Sequence, residues 1–290
     1  MSGVKKVKIV TLADDYAGGG RCLAQHGISF FIEIFYQSGE VKRVLFDTGI
    51  YHEPILFNAK RLSVPLEKID AIVLSHSHYD HTGGLLGILE KIQREDLPIV
   101  AHPLVFKKSY YKGKSTNIGM ENDRTKEIAE KLGGVWYLTK ESFEVIDNLF
   151  FMGQVPRVTD FEQDLTIQLQ TEVNGEWIDD LIEDDSAIYM KTLKGLVIVS
   201  GCSHSGIVNI VKHGIHLSRG EKPYAVIGGF HLLTASEERI IQTAESLKEL
   251  GVEKLITGHC TGGVAEYLFQ QIFTTSFQKL YAGKTIQYEF

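Results

Sequence analysis

The sequence lacks the features that would assign it to several common protein classes. Its 290 residues contain three cysteines, Cys22, Cys202 and Cys260, odd in number and far apart. This rules out a disulfide framework and a zinc site built on cysteine pairs, and it suits a reducing compartment. No apolar run reaches the roughly 18 residues that a membrane span needs, and Met1-Ser2-Gly3-Val4-Lys5-Lys6-Val7-Lys8 does not form a signal peptide. A cytoplasmic protein without membrane contact is expected. Basic residues do not dominate either: 30 Lys and Arg stand against 37 Asp and Glu, a net charge of -7. Binding of nucleic acid by counterion release is therefore not expected. P-loop and Ser-His-Asp patterns, internal repeats and low-complexity tracts are missing as well.

What is present is a sizeable core, with 43% hydrophobic residues. Val7–Ala13, Ile28–Tyr36 and Val41–Phe46 are apolar with β-branched or aromatic residues and predict strands, with a hairpin turn at Ser38-Gly39-Glu40. Residues 14–26, including Gly18-Gly19-Gly20, read as a mobile loop. A helix over Glu53–Leu62 and a buried strand over Ala71–Ser75 lead into a histidine cluster. Helical spacing follows over Gly83–Arg94, then a strand over Ile99–Ala101. Residues 107–122 form a long polar excursion, expected as a lid or surface loop. Glu127–Leu132 predicts a helix and Val135–Gln170 short strands with turns. Later come a hairpin of Ala187–Thr192 and Leu196–Val199, helices over Ile207–Leu217, Glu237–Leu250 and Val264–Phe273, and strands at Tyr224–Ile227 and Lys254–Thr257. Phe277–Tyr281 and Thr285–Tyr288 predict a closing hairpin. Strands in both halves with helices between them predict one α/β domain over 1–290, with two sheets and outer helices in four layers.

The chemistry concentrates in Ser75-His76-Ser77-His78-Tyr79-Asp80-His81. In extended backbone His76 and His78 point the same way and can grip one cation together. Asp80 and His81 follow, where the chain can turn them toward a second cation, and Gly83-Gly84 is expected to allow a sharp bend. His204 and His259 each follow a predicted strand and have glycines close by.

His76-Ser77-His78-Tyr79-Asp80-His81 resembles the signature of the metallo-β-lactamase superfamily. Phe46-Asp47-Thr48-Gly49 resembles its first motif and Ile256-Thr257-Gly258-His259 its last, in the family's order. Gln25-His26-Gly27-Ile28-Ser29, Val155-Pro156-Arg157, Gly201-Cys202-Ser203-His204-Ser205-Gly206, Gly228-Gly229-Phe230-His231-Leu232 and Gly258-His259-Cys260-Thr261-Gly262 resemble a subgroup that includes an archaeal synthase of methanopterin assembly. The resemblance implies an αββα sandwich with two divalent metal ions at one edge, zinc first, iron or manganese as alternatives. His76, His78 and His204 would hold one ion, and Asp80, His81 and His259 the other. Many members carry a bridging aspartate where this chain has Cys202. Cys202 either binds metal or packs beside it, and Asp185 is another candidate for the bridge.

Asp47 is read as a residue orienting a ligand histidine. Asp80 and His231 are read as acting in the chemistry, with His231 and Arg157 contacting a small-molecule substrate. His102, His213 and His216 are read as structural, and His26 and His52 stay open. The resulting expectation is a hydrolase using metal-activated water on a small ester, phosphoester or lactone. The alternatives are a transferase like the subgroup's synthase, which joins a dihydropterin-methyl unit to a ribofuranosylaminobenzene phosphate, and a non-catalytic metal-binding sensor or partner protein.

Overall fold

A computed structural model describes residues 3–18, 21–120, 124–163 and 168–290. Gly19 and Gly20 of the expected glycine loop, Glu121 and Asn122 of the expected excursion, and residues 164–167 of the stretch read as short strands lie outside the described residues.

The chain opens with β1 (Val4–Ala13), β2 (Ser29–Tyr36) and β3 (Val41–Phe46), paired antiparallel in sequence. Gly39, at φ 88°, supplies the left-handed residue that the turn between β2 and β3 requires. Then follow α1 (His52–Arg61), β4 (Ala71–Val73), the single-turn α2 (Tyr79–Thr82), α3 (Leu85–Ile92), β5 (Leu97–Ala101), β6 (Tyr110–Tyr111), α4 (Thr125–Lys131) and β7 (Gly134–Leu138). The second half contains β8 (Phe143–Ile146), β9 (Leu149–Phe151), β10 (Leu169–Val173), β11 (Glu176–Asp179), β12 (Ala187–Thr192), β13 (Gly195–Ser200), α5 (Ile207–Ser218), β14 (Pro223–Gly229), α6 (Glu237–Glu249), β15 (Lys254–Gly258), α7 (Gly263–Phe273), β16 (Phe277–Lys279) and β17 (Thr285–Glu289).

Among the described residues these strands make two seven-stranded sheets, β17-β1-β2-β3-β4-β5-β7 and β16-β15-β14-β13-β12-β9-β8, and a small sheet β11-β10-β6. Both large sheets are mixed: β3, β4, β5 and β7 run parallel, as do β13, β14, β15 and β16. Side-chain alternation divides each strand between layers. Phe30, Ile32 and Ile34 of β2 meet Val197 and Val199 of β13 in the core between the sheets. Phe31 turns outward to Ile55, Leu85 and Ile88 of the first helical layer. Ile198 turns the other way, to Val208 and Val211 of α5 and Ala244 and Leu247 of α6. The result is an αββα sandwich. Each fully buried aliphatic or aromatic side chain contributes about 1.5–3 kcal/mol, so truncating Ile32 to alanine would cost about 2–5 kcal/mol.

Three sequence expectations are corrected. Phe277–Tyr281 and Thr285–Tyr288 are not a hairpin. β16 joins β15 in one sheet and β17 joins β1 in the other. The link between them crosses the sandwich edge, with Leu280 N donating to Thr257 O, Ala282 N to Tyr16 O and Gly283 N to Thr11 O. Both sheets offer an open edge there, and strand pattern alone does not say which edge is filled. Gly83 and Gly84 do not use the backbone freedom of glycine, since both lie in the right-handed helical region (φ -62° and -78°). They are small because the chain packs tightly: a Cβ on Gly84 would lie 2.2 Å from Thr48 O, and one on Gly83 2.4 Å from Ile50 O. Finally, β4 stops at Val73 rather than Ser75. Ser75 N leaves the strand ladder because it donates to Asp47 Oδ1 at 2.7 Å.

The parallel strands, together with β1, bring their carboxyl ends to one edge of the sandwich, where ligands of open α/β sheets gather. Asp14 and Asp15 follow β1, Asp47 follows β3, and His76 comes shortly after β4. Cys202 follows β13, His231 follows β14 and His259 follows β15.

Candidate metal centre

The site is organised around Asp47, fully buried with φ 58°. Its Oδ1 accepts from Ser75 N at 2.7 Å; its Oδ2 accepts from Ser75 Oγ at 2.7 Å and lies 2.6 Å from His81 Nδ1. The Asp47 bond sets the His81 ring so that Nε2 faces the edge. Ser75 Oγ lies 2.9 Å from His76 Nδ1 and does the same for that ring.

His76, His78 and His204 come together, with ring centroids 4.6, 4.8 and 4.9 Å apart. Their ligand atoms all lie within 4.8 Å of one another. Burial, chiefly, holds all three well toward the neutral form; His78 falls to about 4, and the neighbouring imidazoles add to the effect for His76 and His204. Neutral imidazole is the ligand form. The Nε2 atoms of His76, His78, His81 and His204 are buried without a hydrogen-bond partner. Leaving such an atom unsatisfied costs about 1–3 kcal/mol, and four facing one edge fit a divalent cation.

A second nest contains Asp80, His81, Cys202 and His259, all buried, again with ligand atoms within 4.8 Å of one another. Asp80 Oδ2 lies 3.4 Å from His81 Nε2 and 3.3 Å from His259 Nε2. Burial opposes charge on His81, but Asp80 and Asp47 outweigh it and raise its pKa to about 9. His259 is likewise raised against burial, by Cys260, Asp15 and Asp80. This nest therefore concentrates negative charge that holds protons or cations.

Sequence reasoning missed Asp15. Its Oδ1 lies 2.8 Å from His259 Nδ1 and its Oδ2 3.1 Å from His26 Nδ1. His26 Nε2 in turn lies 3.5 Å from Asp80 Oδ2. The glycines of residues 14–26 predict a mobile loop, yet the acidic pair Asp14-Asp15 directly after a strand is the signal that this segment carries more than a loop. Gly27, at φ 109°, lets this segment close on the motif: a Cβ there would lie 2.0 Å from Asp80 O.

His231 is exposed at φ 48°, its ring centroid 4.1 Å from that of His204. Arg157 lines the same cavity, but its Nη1 donates to His204 O at 2.9 Å and its Nη2 to Leu181 O. Its fork thus supports the chain at His204. Asp185 Oδ2 accepts from Ser205 N and Oγ at 2.8 and 2.6 Å, and the structure does not bring Asp185 into either nest. Of the remaining histidines, His102 Nδ1 accepts from Leu104 N, and His213 Nε2 lies 3.2 Å from Met152 O.

Both nests open into a cavity of about 1230 Å³ whose walls include Tyr16, Tyr79, Tyr111 and Phe161. Tyr111 reaches it from β6, paired to β10 at Leu169. Lys107, just before β6, is clamped between Asp180 Oδ1 and Asp184 Oδ1, each 2.6 Å away, and Asp184 Oδ2 accepts from Ser77 N at 2.7 Å. One ionic network thus ties a cavity wall to the histidine motif.

The αββα sandwich with histidines and an aspartate converging on one edge defines a metal-dependent enzyme class, and residues 29–162 match the profile of the metallo-beta-lactamase superfamily. The chain belongs to that superfamily. It is 47% identical over 289 residues to the 7,8-dihydropterin-6-methyl-4-(beta-D-ribofuranosyl)-aminobenzene-5'-phosphate synthase of Methanocaldococcus jannaschii, covering 98% of each chain. An uncharacterized protein of the same archaeon is 31% identical over 82% of this chain and 85% of its own. Among solved structures, a metal-dependent hydrolase of the β-lactamase superfamily superposes with a TM-score of 0.81 at 29% identity, over 98% of this chain and all of that one. The expectation of an enzyme is met by the family and by the named synthase. Among the described residues, no helix is long and apolar enough to cross a membrane.

Proposed function

We propose that this protein is a metal-dependent group-transfer enzyme that joins a dihydropterin-methyl unit to a ribofuranosylaminobenzene phosphate, the reaction type of its relative in Methanocaldococcus jannaschii. The observation carrying this reading is the cavity. At about 1230 Å³ it exceeds the roughly 300–1,000 Å³ of ordinary small-ligand pockets, leaving room for two substrates above the two nests. Tyr16, Tyr79 and Tyr111 offer faces on which a flat heterocycle can stack.

His76, His78 and His204 would hold one divalent cation, and Asp80, His81 and His259 a second. Bound there, such cations act as Lewis acids and neutralise negative charge on a substrate or leaving group. Asp47 and Asp15 hold the Nδ1 sides of His81 and His259 and keep the Nε2 atoms directed inward. His231 stands at the cavity face of the first nest, where an imidazole nitrogen takes the proton that an aromatic amine sheds on forming the new bond. The tyrosine and leucine walls orient the rings and exclude water that would compete for the transferred unit.

Hydrolysis is the second reading, favoured by the 0.81 TM-score to a metal-dependent hydrolase. It would use the same ligands with water as acceptor. Incubating the metal-loaded protein with an activated dihydropterin-methyl donor, with and without the aminobenzene acceptor, separates the two by mass spectrometry. Coupled product that disappears in His78→Ala supports transfer. Donor hydrolysis at a rate indifferent to the acceptor supports the second reading, and turnover that survives complete metal removal sinks both.

A further inference from the structure

We propose that Arg239 is a substrate-binding residue whose guanidinium takes the phosphate that the acceptor carries into the cavity. The inference rests on the group-transfer reading above and adds to it the group that recognises one substrate's charge. Arg239 lies in the first turn of α6 and lines the cavity with Leu233, Thr234 and Ser236, the stretch that runs on from His231. Its Nε is buried without a hydrogen-bond partner. A buried donor left unused calls for an explanation, and a planar guanidinium presents its donors in a fork that matches phosphate oxygens. Arg157 is the other Lys or Arg among the described residues lining the cavity. Its fork is already given to the carbonyls of His204 and Leu181.

The plain alternative is that Arg239 only balances the buried charge of Glu162, which also lines the cavity and feels the guanidinium. The hydrogen bonds argue otherwise. Glu162 gives its oxygens to Val208 N and Asn209 N, at 2.9 and 2.8 Å. Glu266, a further carboxylate in the wall, accepts from Lys279 Nζ at 2.7 Å. Both carboxylates thus have partners of their own, and the guanidinium is left for a ligand. Main-chain donors stand in the same wall: Gly262 and Gly263 line it where α7 begins without a side-chain cap, and a Cβ on Gly263 would meet nothing within 4 Å. Such amides add to a phosphate site, but Arg239 carries it. A phosphorylated leaving group on the donor shares this chemistry. It would depart at the cations, whereas the acceptor's phosphate survives into the product and serves binding alone, which favours the acceptor.

The test uses the full, metal-loaded chain in two measurements. Calorimetric titration with ribose 5-phosphate as the probe reads binding without turnover. Arg239→Ala should weaken that binding by at least about tenfold, and Arg239→Lys, which keeps the charge without the fork, by less. Arg239→Gln replaces the alanine variant if that one folds poorly. Equal affinity in parent and variant, or equal affinity for ribose without its phosphate, overturns the site. In the coupling reaction, Arg239→Ala should raise KM for the phosphorylated acceptor about 10–100-fold, with kcat and the donor's KM nearly unchanged. The weaker use of an acceptor lacking its phosphate should not change. A rise in the donor's KM alone places the guanidinium on the leaving group and overturns the assignment to the acceptor. Equal losses with both acceptors show a structural residue and overturn it as well. Arg239-dependent binding of ribose 5-phosphate in a protein that couples nothing keeps the phosphate site and sinks the transfer reading alone.

Discussion

His81 Nδ1 lies 2.6 Å from Asp47 Oδ2, and both side chains are fully buried. The carboxylate also holds Ser75 by its N–H and its hydroxyl, so one side chain sets His81 directly and His76 through Ser75. Asp47→Asn keeps the volume but presents an NH₂ to one of these donors. Metal affinity should fall by about 10–100-fold, measured by competition with a chelator, while the circular dichroism spectrum stays that of the parent. Unchanged affinity would remove Asp47 from the positioning of His81.

Lys107 is expected to matter for stability out of proportion to its place beside a loop. Its ammonium neutralises Asp180 and Asp184, whose side chains are 3% and 0% exposed. Lys107→Met strands both carboxylates and should cost about 3–5 kcal/mol in urea unfolding, as breaking one side of a buried pair does. Lys107→Arg should recover a large part of that loss. A methionine variant as stable as the parent contradicts the clamp.

Glu162 gives a pH signature. Burial raises its pKa from 4.5 to about 7, although Val208 N and Asn209 N at the start of α5 donate to its oxygens. An acid whose folded pKa is raised binds more protons when folded, so its contribution is complete below about pH 4.5 and lost as pH rises through 7. The stability difference between parent and Glu162→Gln should shift against the parent between pH 5 and pH 8, by at most a few kcal/mol. A difference independent of pH in denaturant titrations would show that the carboxyl does not titrate there.

Tyr79 and Tyr111 test the cavity. If they stack a flat heterocycle, alanine at either position should raise KM for the pterin-type substrate roughly tenfold, the scale of one lost stacking contact. kcat should change much less. Equal losses in kcat at unchanged KM would point away from stacking.

The clustering of His76, His78, Asp80 and His81 was legible in the sequence because donor type and close spacing are local properties. The sandwich was legible because strand alternation and helix spacing recur along the chain. Asp15 and His26 were not, since their role depends on the 14–27 segment folding back until Gly27 touches Asp80 O. That the fork of Arg157 holds the carbonyls of His204 and Leu181 while the residue lines the cavity is a tertiary relationship that spacing along the chain does not show. The destinations of β16 and β17 were hidden for a related reason. Pairing partners are chosen by which edges remain open once everything else has assembled.

That last choice also bears on synthesis. Until residues 285–289 leave the ribosome, β1 presents an unsatisfied row of main-chain donors and acceptors, the kind of border along which nascent polypeptides stick to one another. A strand made after the other sixteen thus seals the layer that β1 begins. Newly made copies are therefore expected to be most vulnerable to self-association in the interval before that seal forms.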